Sequence, residues 1–254
     1  MPDVIIQAFQ RAFELIFSGN SEFYATILRT VYISGVGTLL ACAWSIPIAS
    51  VLGLHSFKAK WAIRGFFNSL IGIPTVALGL LLYLLLSRQG EFGFLSLLYT
   101  VNGVMIGQAI LVTPIIVSFV TSALEASDTQ LRDLAKTLGA SGLRTNLAIM
   151  RETFWAMALA ITAAFNRGFG ELGIATIVGG SLLGSGTVFS GTRVLTTSIA
   201  LEINFGNFDV AMAYALILMA IVISLALIIN FIERLRKEDL PFKTWRIFGR
   251  SGGQ

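Results

Sequence analysis

Four stretches of the chain carry no Asp, Glu, Lys or Arg: residues 30–57, 65–87, 92–124 and 210–232. About 20 apolar residues in a helix cross the hydrocarbon core of a bilayer, so each stretch is long enough to span it. A backbone exposed to lipid must satisfy its own hydrogen bonds, which makes such spans helical. With a further apolar segment that contains Arg167 and Glu171, the expected spans are 26–53, 65–87, 99–123, 153–179 and 209–232. The pattern predicts an all-α integral membrane protein with about five transmembrane helices.

Ahead of the first span, Ile5, Ile6, Phe9, Phe13, Ile16 and Phe17 recur at helical spacing, with Asp3, Gln7, Gln10, Arg11 and Glu14 between them. Residues 1–22 therefore read as an amphipathic segment. It either lies along the membrane surface or packs on the bundle as an outer helix. The segment lacks the basic head, continuous apolar stretch and small-residue cleavage site of a secretory signal, so it is expected to be retained.

Composition agrees with the pattern: 55% of the 254 residues are hydrophobic and 13% are charged, against about 25% charged in soluble domains. Most basic residues fall in three places: Lys58, Lys60 and Arg64; Arg132, Lys136, Arg144 and Arg151; and Arg234 through Arg250. All three lie on one side of a five-span arrangement, and the positive-inside rule makes that side cytoplasmic. The N-terminus is then outside and the C-terminus inside. This asymmetry accounts for the net charge of +4, and no basic stripe interleaved with aromatics points to nucleic acid. With a single cysteine, Cys42, the chain can form neither an intrachain disulfide nor a Cys-rich metal site. Pro47, Pro74 and Pro114 fall inside the first three spans, where each deletes a helical hydrogen bond and tends to kink the rod. Gly103 and Gly107 form a small-xxx-small pair suited to close helix contact.

The loop 124–152 is too regular to be mere connection. Ser127 and Gln130 have capping-box spacing. Leu131, Leu134, Ala135 and Leu138 follow at i, i+3, i+4 and i+7, and Gly139 supplies a left-handed stop. Ser141 can start a second helix that runs on into the fourth span. A helix this short is marginal in water, so its apolar stripe needs a partner: the ends of the spans, or a groove on another protein.

Asp133-Leu134-Ala135, three residues, Gly139, nine residues and Ile149 resemble the cytoplasmic signature Glu-Ala-Ala-X3-Gly-X9-Ile-X-Leu-Pro of ABC importer permeases. Asp133 stands for Glu, Leu134 for Ala, and Arg151-Glu152 occupy the Leu-Pro positions. Further along, Phe165-Asn166-Arg167-Gly168-Phe169-Gly170-Glu171-Leu172-Gly173, the pair Gly179-Gly180 and Thr192-Arg193-Val194-Leu195-Thr196-Thr197 resemble tungstate permeases, with molybdate permeases close behind.

The resemblance implies a permease fold of the molybdate/methionine type over 23–235, with a cytoplasmic tail at 236–254. It also implies a coupling helix in which Asp133, Leu134, Ala135 and Gly139 dock on an ATPase while Ile149 positions the helix that follows. The implied assembly is a homodimer in a prokaryotic plasma (inner) membrane, with ATPase subunits on the cytoplasmic side and an external oxyanion-binding protein. Its function would be import of a tetrahedral oxyanion, tungstate first and molybdate or sulfate after it, by alternating access.

ATP and Mg would be bound by the partner, since this chain has no Gly-X4-Gly-Lys-Ser/Thr loop, and it needs no cofactor of its own. With His55 as its one histidine, it offers no catalytic constellation and no paired metal ligands. Arg167 and Glu171, four residues apart on one helix face, either form an ion pair that pins the span or line the anion path. Arg193, Thr196 and Thr197 are further pathway candidates, because hydroxyls and a guanidinium suit an oxyanion. A stand-alone secondary transporter or channel is the competing class; it is disfavoured because the five spans show no internal repeat of the kind such proteins often carry.

Overall fold

The computed structural model describes residues 2–127 and 137–239, and every long element among them is a helix. α1 (Pro2–Phe17) leads through a left-handed Gly19 to α2 (Ser21–Leu54). Asn20 caps α2, its side chain accepting from the amides of Glu22 and Phe23 at 3.0 and 3.1 Å. Then come α3 (Lys60–Leu70), α4 (Thr75–Leu86) and α5 (Val101–Glu125). After the coupling region follow α6 (Gly142–Glu152), α7 (Phe154–Phe169), the one-turn α8 (Gly173–Ile177), α9 (Leu195–Phe205) and α10 (Phe208–Asp239).

α2 and α5 form the spine. Ser34 Oγ donates to Gln108 Oε1 at 3.2 Å, Trp44 Nε1 to Thr113 Oγ1 at 2.7 Å, and Thr121 Oγ1 to the Ala49 carbonyl at 3.5 Å. The pairings advance together along both helices, so α2 and α5 run parallel. Between two parallel crossings the chain must return once, and α3 with α4 makes that return. Ala41, Ala49 and Leu54 of α2, Val112, Ile116, Val120 and Leu124 of α5, Ile149 of α6 and Ala160 and Ala164 of α7 share one buried cluster.

Among the described residues, α2, α5 and the apolar part of α10 to Phe231 are the single helices long and apolar enough to cross; each of the two other expected spans is a bent pair. The second breaks between α3 and α4 with a bend of 98°. Pro74 therefore stands at the break, in the position before α4, and not within a continuous helix. A residue preceding proline is pushed out of the α region, and Ile71, Gly72 and Ile73 close three-residue turns onto Asn68, Ser69 and Leu70 instead. Pro47 and Pro114, by contrast, lie within continuous helices.

The fourth expected span bends by 64° between α6 and α7, so α6 does not run straight on into the span. At the bend Thr153 Oγ1 donates back to the Ile149 carbonyl at 2.8 Å, a bond that bends helices. α7 stops at Phe169, ten residues short of the expected end. Of the coupling region, Asp133, Leu134 and Ala135 lie outside the described residues; Gly139 has the expected left-handed backbone, φ +74°.

Gly107 of α5 is a seat for α8: a Cβ there would come within 2.6 Å of Ile174 Cγ2. A Cβ on Gly103 would meet first the carbonyl of Leu97, so that glycine admits the loop before α5 rather than a helix. At the other end of the chain, α1 packs along α10. Ala12 is fully buried in a cluster with Phe23, Ala213 and Tyr214, and the Tyr24 hydroxyl donates to the Ile16 carbonyl. Of the two readings of the N-terminal segment, packing on the bundle is the one these contacts bear out.

Gly107→Val should lower the thermal stability of the purified chain by about 2 kcal/mol, the usual scale of overpacking. Gly35→Ala, at a position with nothing within 4 Å, should leave the melting temperature unchanged. Equal melting temperatures for both variants would refute the seat.

Candidate functional site

Where α7 ends, the chain turns at Gly170 to Leu172 before α8. The Gly170 amide still bonds to the Asn166 carbonyl at 3.2 Å and that of Glu171 to Gly168 at 3.1 Å, but the amides of Gly173 and Ile174 at the start of α8 need an acceptor. Glu171 Oε1 provides it, at 2.7 and 3.3 Å. Its other carboxylate oxygen accepts from Arg167 Nη1 at 2.8 Å, and its backbone carbonyl accepts from Thr196 Oγ1 at 2.7 Å. One buried residue thus joins the end of α7, the start of α8 and the first turn of α9.

The two charges of this pair are not equivalent. Glu171 is 2% exposed and Arg167 39%. The carboxylate is committed to three donors and acts as the fixed partner; the guanidinium remains reachable from outside the bundle. Gly168 brings this turn against α5, where a Cβ would lie 3.3 Å from Val112 and 3.8 Å from Gln108 Oε1. Gly173 meets α4 equally closely, a Cβ there falling 2.9 Å from Thr75 Oγ1. The start of α4, just after its 98° break from α3, therefore touches the turn between α7 and α8 beside Arg167.

The remaining pathway candidates do not join this group. Thr197 is a helix cap, its Oγ1 accepting from the Val194 amide at 3.0 Å. Arg193 lies before α9 and faces Glu202 at 3.8 Å with its Nε buried and unpaired. Of the residues expected to serve coupling, Ile149 is fully buried against the α2–α5 core and so fixes α6, while a Cβ on Gly139 would have no contact within 4 Å among the described residues.

A second polar centre has no counterpart in the expectations above. Arg29, inside the first expected span, is fully buried. Its Nε donates to the Val188 carbonyl at 3.0 Å, Nη1 to Arg193 at 2.8 Å and Nη2 to Thr187 at 2.8 Å. Glu22, two turns earlier on the same face, lies 3.5 Å from Arg29 and accepts from the Gly186 amide at 2.8 Å. Together they hold the irregular segment 184–193, whose Gly186 and Gly191 adopt left-handed backbones. The signal in the sequence was the i, i+7 spacing of opposite charges at the edge of a charge-free run. Gln108, 3% exposed within the third span, was also passed over.

The long helices α2 and α5 thus run parallel, and the break before α4 meets the turn between α7 and α8. The family of binding-protein-dependent transport system inner membrane components matches residues 45–237. The chain belongs to this family. It is therefore a multi-pass membrane permease of an ATP-driven importer, and membership implies a substrate-binding protein and an ATPase as partners.

Among relatives of the permease, the tungstate uptake system permease protein TupB of Peptoclostridium acidaminophilum is 34% identical over 86% of this chain and 93% of its own length. The protein of the same name from Campylobacter jejuni is 32% identical over 91% and 95%. A probable anion ABC transporter permease protein of Haloferax volcanii is 34% identical over 76% and 83%. In three dimensions the permease resembles a chain of the MetNI methionine ABC transporter in an inward-facing conformation, with a TM-score of 0.60, 14% identity, and coverage of 84% of this chain and 94% of that one. At that identity the likeness concerns the fold.

Arg29→Met should cost about 3 kcal/mol, the scale of leaving a buried partner uncompensated, and should open segment 184–193 to proteinase K while the rest of the permease stays protected. Unchanged cleavage there would refute the clasp.

Proposed function

We propose that this permease imports a tetrahedral oxyanion, tungstate before molybdate or sulfate, with Arg167 on the anion's route. The observation that carries the substrate is the similarity to two tungstate uptake permeases along nearly the whole of both chains. The site supports it: Arg167 is a guanidinium still partly exposed, oriented by a carboxylate that is itself held by three donors. A cation so placed attracts an anion without a closed cage around it, and weak binding is what passage requires. Discrimination among oxyanions of like charge and shape then rests with the binding protein.

Two copies form the pathway in this reading, with the N-terminus outside and the C-terminus cytoplasmic as the positions of Lys and Arg demand. ATP and Mg bind to separate cytoplasmic subunits, because this chain has no phosphate-binding loop, and it performs no catalysis itself. Asp133, Leu134, Ala135 and Gly139 dock on those subunits; Ile149 anchors the helix behind them. Arg193, Thr196 and Thr197 contribute by shaping the segment beside the route, Thr196 through its bond to Glu171.

Arg167→Ala should lower ATP-driven tungstate uptake into proteoliposomes roughly tenfold, the scale of one lost charge-assisted hydrogen bond, with Arg167→Lys in between. Full uptake with reduced thermal stability would make the pair purely structural. Gly139→Val forces a β-branched residue into φ +74° and should separate ATP hydrolysis from transport; undiminished substrate-stimulated hydrolysis with normal uptake would remove that residue from the coupling element. Uptake by the permease in liposomes lacking ATPase and ATP would favour a stand-alone transporter.

A further inference from the structure

None of the eleven residues of α3 is buried. Charge ties this helix to the bundle. Lys60 Nζ lies 2.9 Å from one carboxylate oxygen of Glu125; Arg64 pairs with the other and donates to Ser122 Oγ at 3.2 Å. Lys60 and Arg64 are four residues apart and so share one helix face. Glu125 is the last residue of α5, at the mouth of the coupling loop. A carboxylate at a helix C-terminus faces the negative end of the macrodipole, so its place there depends on the two cations. An isolated exposed ion pair is worth little, but here two cations share one carboxylate and no buried contact on α3 does the same work.

The other end of α3 passes through the 98° break into α4. There Thr75 abuts Gly173, and a Cβ on Gly79 would lie 3.3 Å from the Gly173 carbonyl and 3.4 Å from Ile174 Cα. Gly173 is in turn held by Glu171, the partner of Arg167. A contiguous series of contacts thus leads from the coupling loop to the candidate route, with one sharp bend on the way.

We propose that Glu125 is a positioning residue for transport: by clamping Lys60 and Arg64 it makes α3 follow the coupling loop, and so passes the movement of the ATPase to α4, α8 and the Arg167 turn. The inference rests on membership of the importer family and not on the identity of the cargo.

The test uses the permease assembled with its ATPase, in a Cys42→Ser background with Thr176→Cys as a reporter on the exposed face of α8. Maleimide reactivity is measured with and without ATP and vanadate. In the parental complex, trapping should change the rate by about fivefold or more, the range of ordinary coupling between sites. E125Q should abolish the change while ATP hydrolysis continues, and the exchange variant K60E/E125K should restore it.

A full response in E125Q overturns the proposal. So does a lost response that the exchange fails to restore, a flat response in the parental complex, or failure of E125Q to assemble with the ATPase, which would make Glu125 a mere support. The reporter follows the protein and not the cargo, so a wrong oxyanion assignment would show in uptake and leave this result standing.

Discussion

Inside a bilayer no water is present to bond a loose amide or carbonyl, and every interruption of a helix must bring its own polar partner. The permease interrupts its helices repeatedly: the sharp break between α3 and α4 is closed by backbone turns, and other departures from the helix take a side-chain partner. Glu171 answers the free amides of α8, Arg29 takes three carbonyls of the segment 184–193, and Thr192 both accepts from the Leu182 amide and donates to the Gly179 carbonyl.

That constraint explains why one pair of charges can serve two ends. A carboxylate needed to close a turn must itself be neutralised when buried, and Arg167 does so from a position that remains partly exposed. Satisfying the backbone thereby leaves a cation at the edge of the bundle. A structural need and an anion route therefore do not compete for these residues. The asymmetry in exposure lets Glu171 be the fixed half and Arg167 the available one.

The membrane class, the long helices α2, α5 and α10, and the helix contact at Gly107 were legible in the sequence, because charge-free length and small-residue spacing act locally. The left-handed Gly139 was legible for the same reason. Pro74 was visible as a proline within a span, but the sharpness of the break there was not, since hydropathy averages over a four-residue turn that keeps its apolar character. The carbonyl partners of Arg29 lie more than 150 residues away along the chain, and its i, i+7 spacing from Glu22 marks a pair without showing what that pair holds. Thr197 had the composition of an anion contact, yet its hydroxyl serves the start of α9.

The short α4 bears on the lipid as well as on the protein. Its twelve residues rise about 18 Å, whereas a hydrocarbon core is about 30 Å thick, and α3 turns off at 98° and adds little height. Beside Leu80, Leu81 and Leu84, which stay exposed, the bilayer must thin to meet the helix or the helix must be shielded by a neighbouring subunit. Either way, the leucine face of α4 is a surface that the rest of this chain leaves uncovered.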